Sequence, residues 1–274
     1  MKLTVKEIEK RATEIRKDII KMLVEAGVGH SAGSLGSVEI FASLYFGGEM
    51  NYDPGRPKWE ERDRLVLSAG HICPAQYATM AEAGFFEKKE LLTLGKLGTR
   101  LQGHPHNLSL PGIETSSGPV GQGFSVAVGM ALAAKMNKEP WRVFLISSDG
   151  EQDEGMTWEG VMFAAKYKLF NLIGLMDRND IQIDGRTSEV MPLEPLVAKY
   201  KAFNWRVFEI DGHDIKKIIE TIKLAKKEKE KPTMIICKTI PGKEVSFIEG
   251  DYHWHGRAPS KEEGQRALEE LGDL

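Results

Sequence analysis

Two short segments concentrate the groups able to hold a metal ion beside a phosphate. The first, Ser148-Asp149-Gly150-Glu151, follows the apolar run Val143–Ser147. A strand ending in Asp-Gly presents a carboxylate at the carboxyl edge of its sheet, and the glycine lets an anion approach the backbone. Taken alone, Asp-Gly most often just makes a turn. The second segment, Asp177-Arg178-Asn179-Asp180-Ile181, follows the next apolar run, and the 28 residues from 151 to 178 separate Gly150 from Asn179. That length accommodates one helix and one strand, a crossover that brings both loops side by side at one sheet edge. A carboxylate, a side-chain amide and a free backbone carbonyl there are hard oxygen donors. They suit magnesium or calcium, with phosphate oxygens and water completing the shell.

The elements that must carry these loops are legible in the rest of the chain. Thr4-Val5-Lys6-Glu7 has capping-box spacing, Ile8, Ala12, Ile15, Ile19 and Met22 recur at helical intervals, and Gly27 supplies a stop. After Gly29-His30-Ser31-Ala32-Gly33-Ser34-Leu35-Gly36 and a second apolar segment, short β-branched or aliphatic runs alternate with helical patterns. The strands are expected at Leu65–Leu67, Val143–Ser147, Leu172–Met176, Val207–Ile210 and Met234–Cys237. The helices are expected at Pro74–Ala83, Pro119–Met136, Glu154–Lys168, Pro195–Phe203 and Asp214–Lys227. Strands without clean alternation are covered on both sides. The pattern therefore predicts an α/β fold, a doubly wound and mostly parallel sheet with helices on both faces, ligands lying at its carboxyl edge. Residues 1–274 read as one domain, with a C-terminal loop and helix from about residue 239.

Composition narrows the function classes. With 37 Lys+Arg against 40 Asp+Glu the net charge is −3, and no basic block suggests a nucleic-acid or membrane-surface partner. The run Lys226-Lys227-Glu228-Lys229-Glu230-Lys231 reads as the solvated end of a helix that stops before Pro232. A chain 41% hydrophobic and 28% charged is ordinary globular material. Its apolar stretches fall short of the ~18 residues needed to span a bilayer, and MKLTVKEIEK has no apolar targeting core. Two cysteines, Cys73 and Cys237, cannot build a disulfide framework and fit a reduced, cytoplasmic protein.

Asp149-Gly150, the spacing and Asn179 resemble the thiamine diphosphate signature, usually Gly-Asp-Gly followed by Asn; Ser148 here replaces the first glycine. Further segments resemble the N-terminal motifs of the transketolase family, in order. They are Gly29-His30 with Leu35-Gly36, Arg62-Asp63-Arg64 through Ser68-Ala69-Gly70-His71, Gly103-His104-Pro105, and Gly118-Pro119-Val120-Gly121-Gln122-Gly123. Glu154-Gly155, Trp158-Glu159 and His255-Gly256 continue the match, which covers about residues 10 to 260.

The resemblance implies a thiamine diphosphate-binding fold and a role for each matched residue. Asp149, Asn179 and the Ile181 carbonyl would bind magnesium, with calcium or manganese as substitutes. His71, Gly150, Asn179 and His255 would contact the cofactor, His71, Gly150 and His255 at its diphosphate, while Gly118, Pro119 and Val120 would line its thiamine part. His30, His104 and His255 would be the catalytic group around the sugar, because imidazoles donate to and accept from hydroxyls and move protons near neutral pH. His106, His213 and His253 are read as structural, and Glu154 and Glu159 as interface acids. Cys73 reads as a small buried residue and Pro119 also as a helix start. Pro241 and Glu244 stiffen and acidify a loop expected near the diphosphate.

The family usually has three regions: a diphosphate-binding, a pyrimidine-binding and a C-terminal domain. Only the first is matched. The resemblance therefore implies the N-terminal subunit of a split transketolase, paired with a second polypeptide carrying the other two, in a heterotetramer. The complex would transfer a two-carbon ketol unit from a ketose phosphate to an aldose phosphate, in the pentose phosphate pathway or a specialised sugar route. Alternatives left open by the residues are a deoxyxylulose-phosphate synthase relative, the alpha chain of a two-oxoacid dehydrogenase, and a non-catalytic cofactor-binding paralogue.

Overall fold

A computed structural model of the chain describes residues 2–273. Five strands form the central sheet: β1 (Arg64–Leu67), β2 (Val143–Ser148), β3 (Leu172–Arg178), β6 (Arg206–Asp211) and β7 (Thr233–Lys238). Their order is β1-β2-β3-β7-β6, and every neighbouring pair is parallel. A two-stranded antiparallel hairpin, β4 (Ile181–Gln182) with β5 (Gly185–Arg186), projects beyond the end of β3.

Alternate residues of the inner strands feed two separate cores, which explains their lack of polar alternation. Phe144, Ile146, Ile173, Leu175 and Ile235 join a core built with α1 (Val5–Ala26), α3 (Val38–Phe46), α4 (Cys73–Glu82) and α9 (Ile215–Ala225). Val143, Leu145, Leu172, Met234 and Ile236 face the other side, against α5 (Gln122–Asn137), α6 (Gly155–Lys166) and α8 (Leu196–Ala202). Burying apolar area on both faces at ~25 cal/mol per Å² is what holds such a sheet between helical layers.

The capping box at Thr4 is present: Thr4 Oγ1 accepts the Glu7 N–H at 3.3 Å and Glu7 Oε2 accepts the Thr4 N–H at 2.8 Å. At the other end the Gly27 N–H donates to the Leu23 carbonyl. Predicted strands match observed ones within two residues at each end. The short helix α2 (Ser31–Gly36), α7 (Thr187–Val190) and α10 (Lys261–Glu270) complete the set.

One boundary needs correction. The fifth helix begins at Gln122, three residues beyond Pro119. Gly121, at φ +86°, turns the chain into the helix from a backbone region that L residues with a side chain disfavour. Pro119 thus lies in the loop before the turn. Among the described residues no helix is long and apolar enough to cross a membrane.

Candidate active site

The register of β2 on β3 pairs Ser148 with Asp177, so the two motif loops leave the sheet side by side. Asp149 is 1% exposed. Its Oδ2 accepts from Arg178 Nη1 at 2.9 Å and from the Asp180 N–H at 2.7 Å. Its Oδ1 accepts, among the described residues, only from the N–H of Gly150. Burial pushes the Asp149 carboxyl up to about 6, with Arg178 acting against that shift. Asn179 is buried too: its Nδ2 donates to Asp177 Oδ2 at 2.8 Å and its Oδ1 accepts from the Ile181 N–H at 3.0 Å. Asp177, held also by the Thr239 hydroxyl, is pushed by burial up to about 7.

A second buried carboxylate organises the loop before α5. Glu151 accepts the Gly121 N–H at 2.6 Å, the Ser148 N–H at 3.2 Å and the Ser68 hydroxyl. The Ser68 oxygen in turn accepts the Phe124 N–H at 2.9 Å. One side chain therefore ties the ends of β1 and β2 to the start of α5, satisfying groups that burial would otherwise strand. Burial raises the Glu151 pKa, and the bonds it accepts oppose that.

Four loops bring histidines over this floor. His30 precedes α2, His71 sits in the turn Gly70–Ile72 after β1, His104 lies in the long loop before α5, and His255 follows the turn Tyr252–Trp254. The His30 ring is centred 5.1 Å from His71, 5.5 Å from His255 and 6.1 Å from His104, and His71 lies 5.1 Å from His255. Burial, then the neighbouring His255 and His104, drive the His30 pKa down to about 4. His71 falls well below its ordinary value and His255 is lowered, burial leading in both. These three are neutral imidazoles at pH 7, able to donate from one nitrogen and accept at the other.

Rings and motif loops share one cleft of about 460 Å³. Of the residues singled out by sequence, His30, His71, His104, Gly118, Val120, Asp149, Gly150, Asn179, Ile181 and His255 all line it. The exposed Pro119 does not. The other histidines are spoken for: His106 bonds Ser109, His253 bonds Asp251, and His213 joins Glu39 while accepting the Ile240 N–H. Cys73 is buried against the carbonyls of Gln102 and Gly103 with its thiol pKa raised, which makes it inert. Glu154 lines the cleft and Glu159 is exposed on α6.

The loop of Pro241 and Glu244 does not acidify the site. Glu244 lies 3.3 Å from Arg16, which is fully buried and also pairs with Glu39 at 2.6 Å. Its carboxylate pairs with Arg16 of the first helix, and it is absent from the cleft lining. Sequence reasoning missed Glu151, Arg178 and Asp177 as site builders. Each stands within two residues of a recognised ligand, but an acid or arginine in a loop gives no sign of being buried until its neighbours are known.

The donor set fits a divalent ion. Among the described residues no three His, Cys, Asp or Glu side chains form a metal cluster, so the ion would have one carboxylate, one amide oxygen and a carbonyl. A Cβ at Gly150 would approach Gln182 Cγ to 3.3 Å, a tight contact, so glycine keeps the backbone there open to a phosphate. Among the described residues the cleft lining contains neither lysine nor arginine, so a diphosphate's charge would be met there by N–H groups, imidazoles and the ion.

Residues 8–273 match the family of the transketolase thiamine diphosphate binding domain. The chain is 45% identical over 265 residues to the 6-deoxy-6-sulfo-D-fructose transketolase subunit of Clostridium sp. (strain MSTE9), covering 97% of this chain and 96% of that one. It is 38% identical to an apulose-4-phosphate transketolase subunit of Phocaeicola vulgatus, covering 99% and 96%. The transketolase structure from Campylobacter jejuni superposes with a TM-score of 0.92 at 29% identity, over 98% of this chain but only 43% of that longer one. Transketolase from Pichia stipitis in complex with sedoheptulose-7-phosphate gives 0.91 at 31% identity, over 97% and 40%. The chain belongs to the transketolase family, as the thiamine diphosphate-binding N-terminal subunit of a split transketolase.

Proposed function

We propose that this chain, with a second polypeptide carrying the pyrimidine-binding and C-terminal domains, transfers a two-carbon ketol unit from a ketose phosphate to an aldose phosphate. The observation that carries the reading is the convergence of His30, His71, His104 and His255 with Asp149 and Asn179 in one cleft at the carboxyl ends of β2 and β3. Asp149, Asn179 and the Ile181 carbonyl hold magnesium, or calcium or manganese in its place. His71, Gly150 and His255 meet the diphosphate, and Gly118 and Val120 border the thiamine part. Thiamine diphosphate, when bound, supplies the carbon nucleophile for a ketose carbonyl. Around it the protein would position the sugar and move protons: His30, His104 and His255 would hydrogen-bond its hydroxyls, one imidazole giving a proton to the carbonyl oxygen as it gains charge and one taking the proton of the adjacent hydroxyl as the C–C bond breaks and the aldose leaves.

Two features support a partner chain. Among the described residues the cleft lining offers no lysine or arginine to a sugar phosphate, which supports a grip on its anionic end by a partner chain. The outer faces of α5 and α6 also expose Met136, Met156, Met162, Phe163 and Tyr167, material suited to a subunit interface that would take in Glu154 and Glu159. We assign the assembly as a heterotetramer of two such chains and two partners, with this chain as its single diphosphate-side domain. Both cysteines are free, which fits a cytoplasmic setting. The names of the two relatives each carry an anionic sugar, one sulfonated and one phosphorylated, which supports an anionic ketose as donor here, drawn from pentose phosphate interconversion or a specialised route.

The test is co-purification of this chain from its native lysate, followed by a ketol-transfer assay on the complex with thiamine diphosphate and Mg²⁺. A stoichiometric partner with activity lost on Asp149→Ala is expected. A complex with full cofactor loading that releases no aldose from any ketose phosphate would overturn the reading.

A further inference from the structure

The carboxylate that faces the proposed metal position already has a cation against it. Arg178, the last residue of β3, places Nη1 2.9 Å from Asp149 Oδ2, 3.0 Å from Thr187 Oγ1 and 3.2 Å from Asp180 Oδ1. Its Nη2 reaches Glu194 Oε1 at 3.4 Å. The guanidinium approaches from behind. Asp149, Asn179 and Ile181 line the cleft, whereas Arg178 lines a separate hollow with Asp180, Glu194 and Leu196. Oδ2 is held by the arginine and the Asp180 N–H, so Oδ1, which among the described residues accepts only the Gly150 N–H, is the oxygen with capacity left for an ion entering through the cleft.

Two effects of opposite sign follow. Without a counter-charge a carboxylate 1% exposed pays a heavy desolvation cost, and Arg178 offsets it before any metal arrives. Once the metal is in place, the same arginine stays behind a shared ligand and repels the dication across a short, partly dry gap.

We propose that Arg178 is a resident counter-cation of the metal site, which keeps the metal-free loops folded around Asp149 and sets the divalent-ion affinity below that of an uncompensated carboxylate. This rests on the metal assignment above.

The experiment uses the full chain in complex with its partner, with MnCl2 as probe in the presence of thiamine diphosphate. Bound Mn²⁺ is read from the loss of the free-ion electron spin resonance signal, and thermal unfolding is followed with and without Mn²⁺. Arg178→Gln should lower the metal-free melting temperature while tightening Mn²⁺ binding by on the order of tenfold. Arg178→Lys, which keeps the charge but loses the fork, should bind Mn²⁺ close to the wild-type affinity. A merely structural clasp would weaken both folding and metal binding in Arg178→Gln, and that result overturns the inference. If Arg178→Gln does not fold without metal, saturating Mn²⁺ should restore its folding, and failure of that rescue also overturns it. Mn²⁺ binding that Asp149→Ala leaves unaltered would instead defeat the metal assignment itself.

Discussion

The two halves of the cleft are built by opposite rules. On the floor, every polar group at Asp149, Glu151, Asp177 and Asn179 meets a partner within the chain, and each carboxylate is buried. Across the cleft, His30, His71, His104 and His255 make no hydrogen bond through their rings among the described residues and touch one another instead. The three histidines outside the cleft are all hydrogen-bonded. The floor is finished before a ligand arrives, whereas the histidine wall is left with its hydrogen-bonding capacity free. Buried polar networks are rigid when satisfied and costly when not, so the floor should govern stability and the wall should govern turnover.

That division can be broken most decisively at Asp149. Asp149→Ala should abolish metal-dependent cofactor binding in calorimetry and also destabilise the chain by about 3 kcal/mol in urea unfolding, because it removes the buried acceptor shared by Arg178 and the Gly150 and Asp180 amides. Loss of binding with unchanged stability would mean the floor is no more structural than the wall. Next in size is His255→Asn, for which ketol transfer should fall roughly 100-fold with the melting temperature unmoved. A parallel drop in melting temperature would merge the two halves.

A smaller effect sharpens the contrast through pH. The His30 pKa is about 4 in the folded chain against an ordinary 6.5. A histidine lowered on folding contributes stability that is full above 6.5 and is lost as pH falls toward 4. The raised carboxyls of Asp149 and Asp177 run the other way, their contribution being present at low pH and lost as pH rises toward about 6 and about 7. His30→Asn should therefore raise melting temperature relative to wild type below pH 6.5 and leave the difference constant above it, as scanning calorimetry across that range would show. Smallest of all is Ser148→Gly. Among the described residues Ser148 Oγ accepts only a long 3.4 Å bond from the Glu151 N–H, so restoring the glycine common in the family should change stability by under about 1 kcal/mol and leave cofactor affinity intact.

Most of the sheet is readable from sequence because β2, β3 and β7 are short, apolar and bounded by turn residues, which leaves little alternative to buried parallel strands. The placement of the two motif loops and the four cleft histidines is readable from motif spacing, and His255 rather than His253 lines the cleft. Sequence misplaces the start of α5 because proline at a helix start is only a preference, and the glycine turn at residue 121 decides it. The capping box Ser260 to Glu263 has the same form as Thr4 to Glu7, and it would have fixed the start of α10 where the sequence reading gives only a loop and helix from about residue 239. Glu151 and Arg178 lie beyond reach, because what makes them matter is burial against residues about 30 positions away.

The pairing of Arg16 with Glu39 and Glu244 bears on how this chain can be handled. Glu39 also holds His213, His213 fixes the Ile240 amide, and neighbouring Thr239 bonds Asp177 beside the Asn179 loop. The first helix is thereby mechanically continuous with the cofactor floor, although the two are far apart in sequence. Trimming the amino terminus past Arg16, or splicing a fusion into that helix, would loosen a site more than 130 residues downstream.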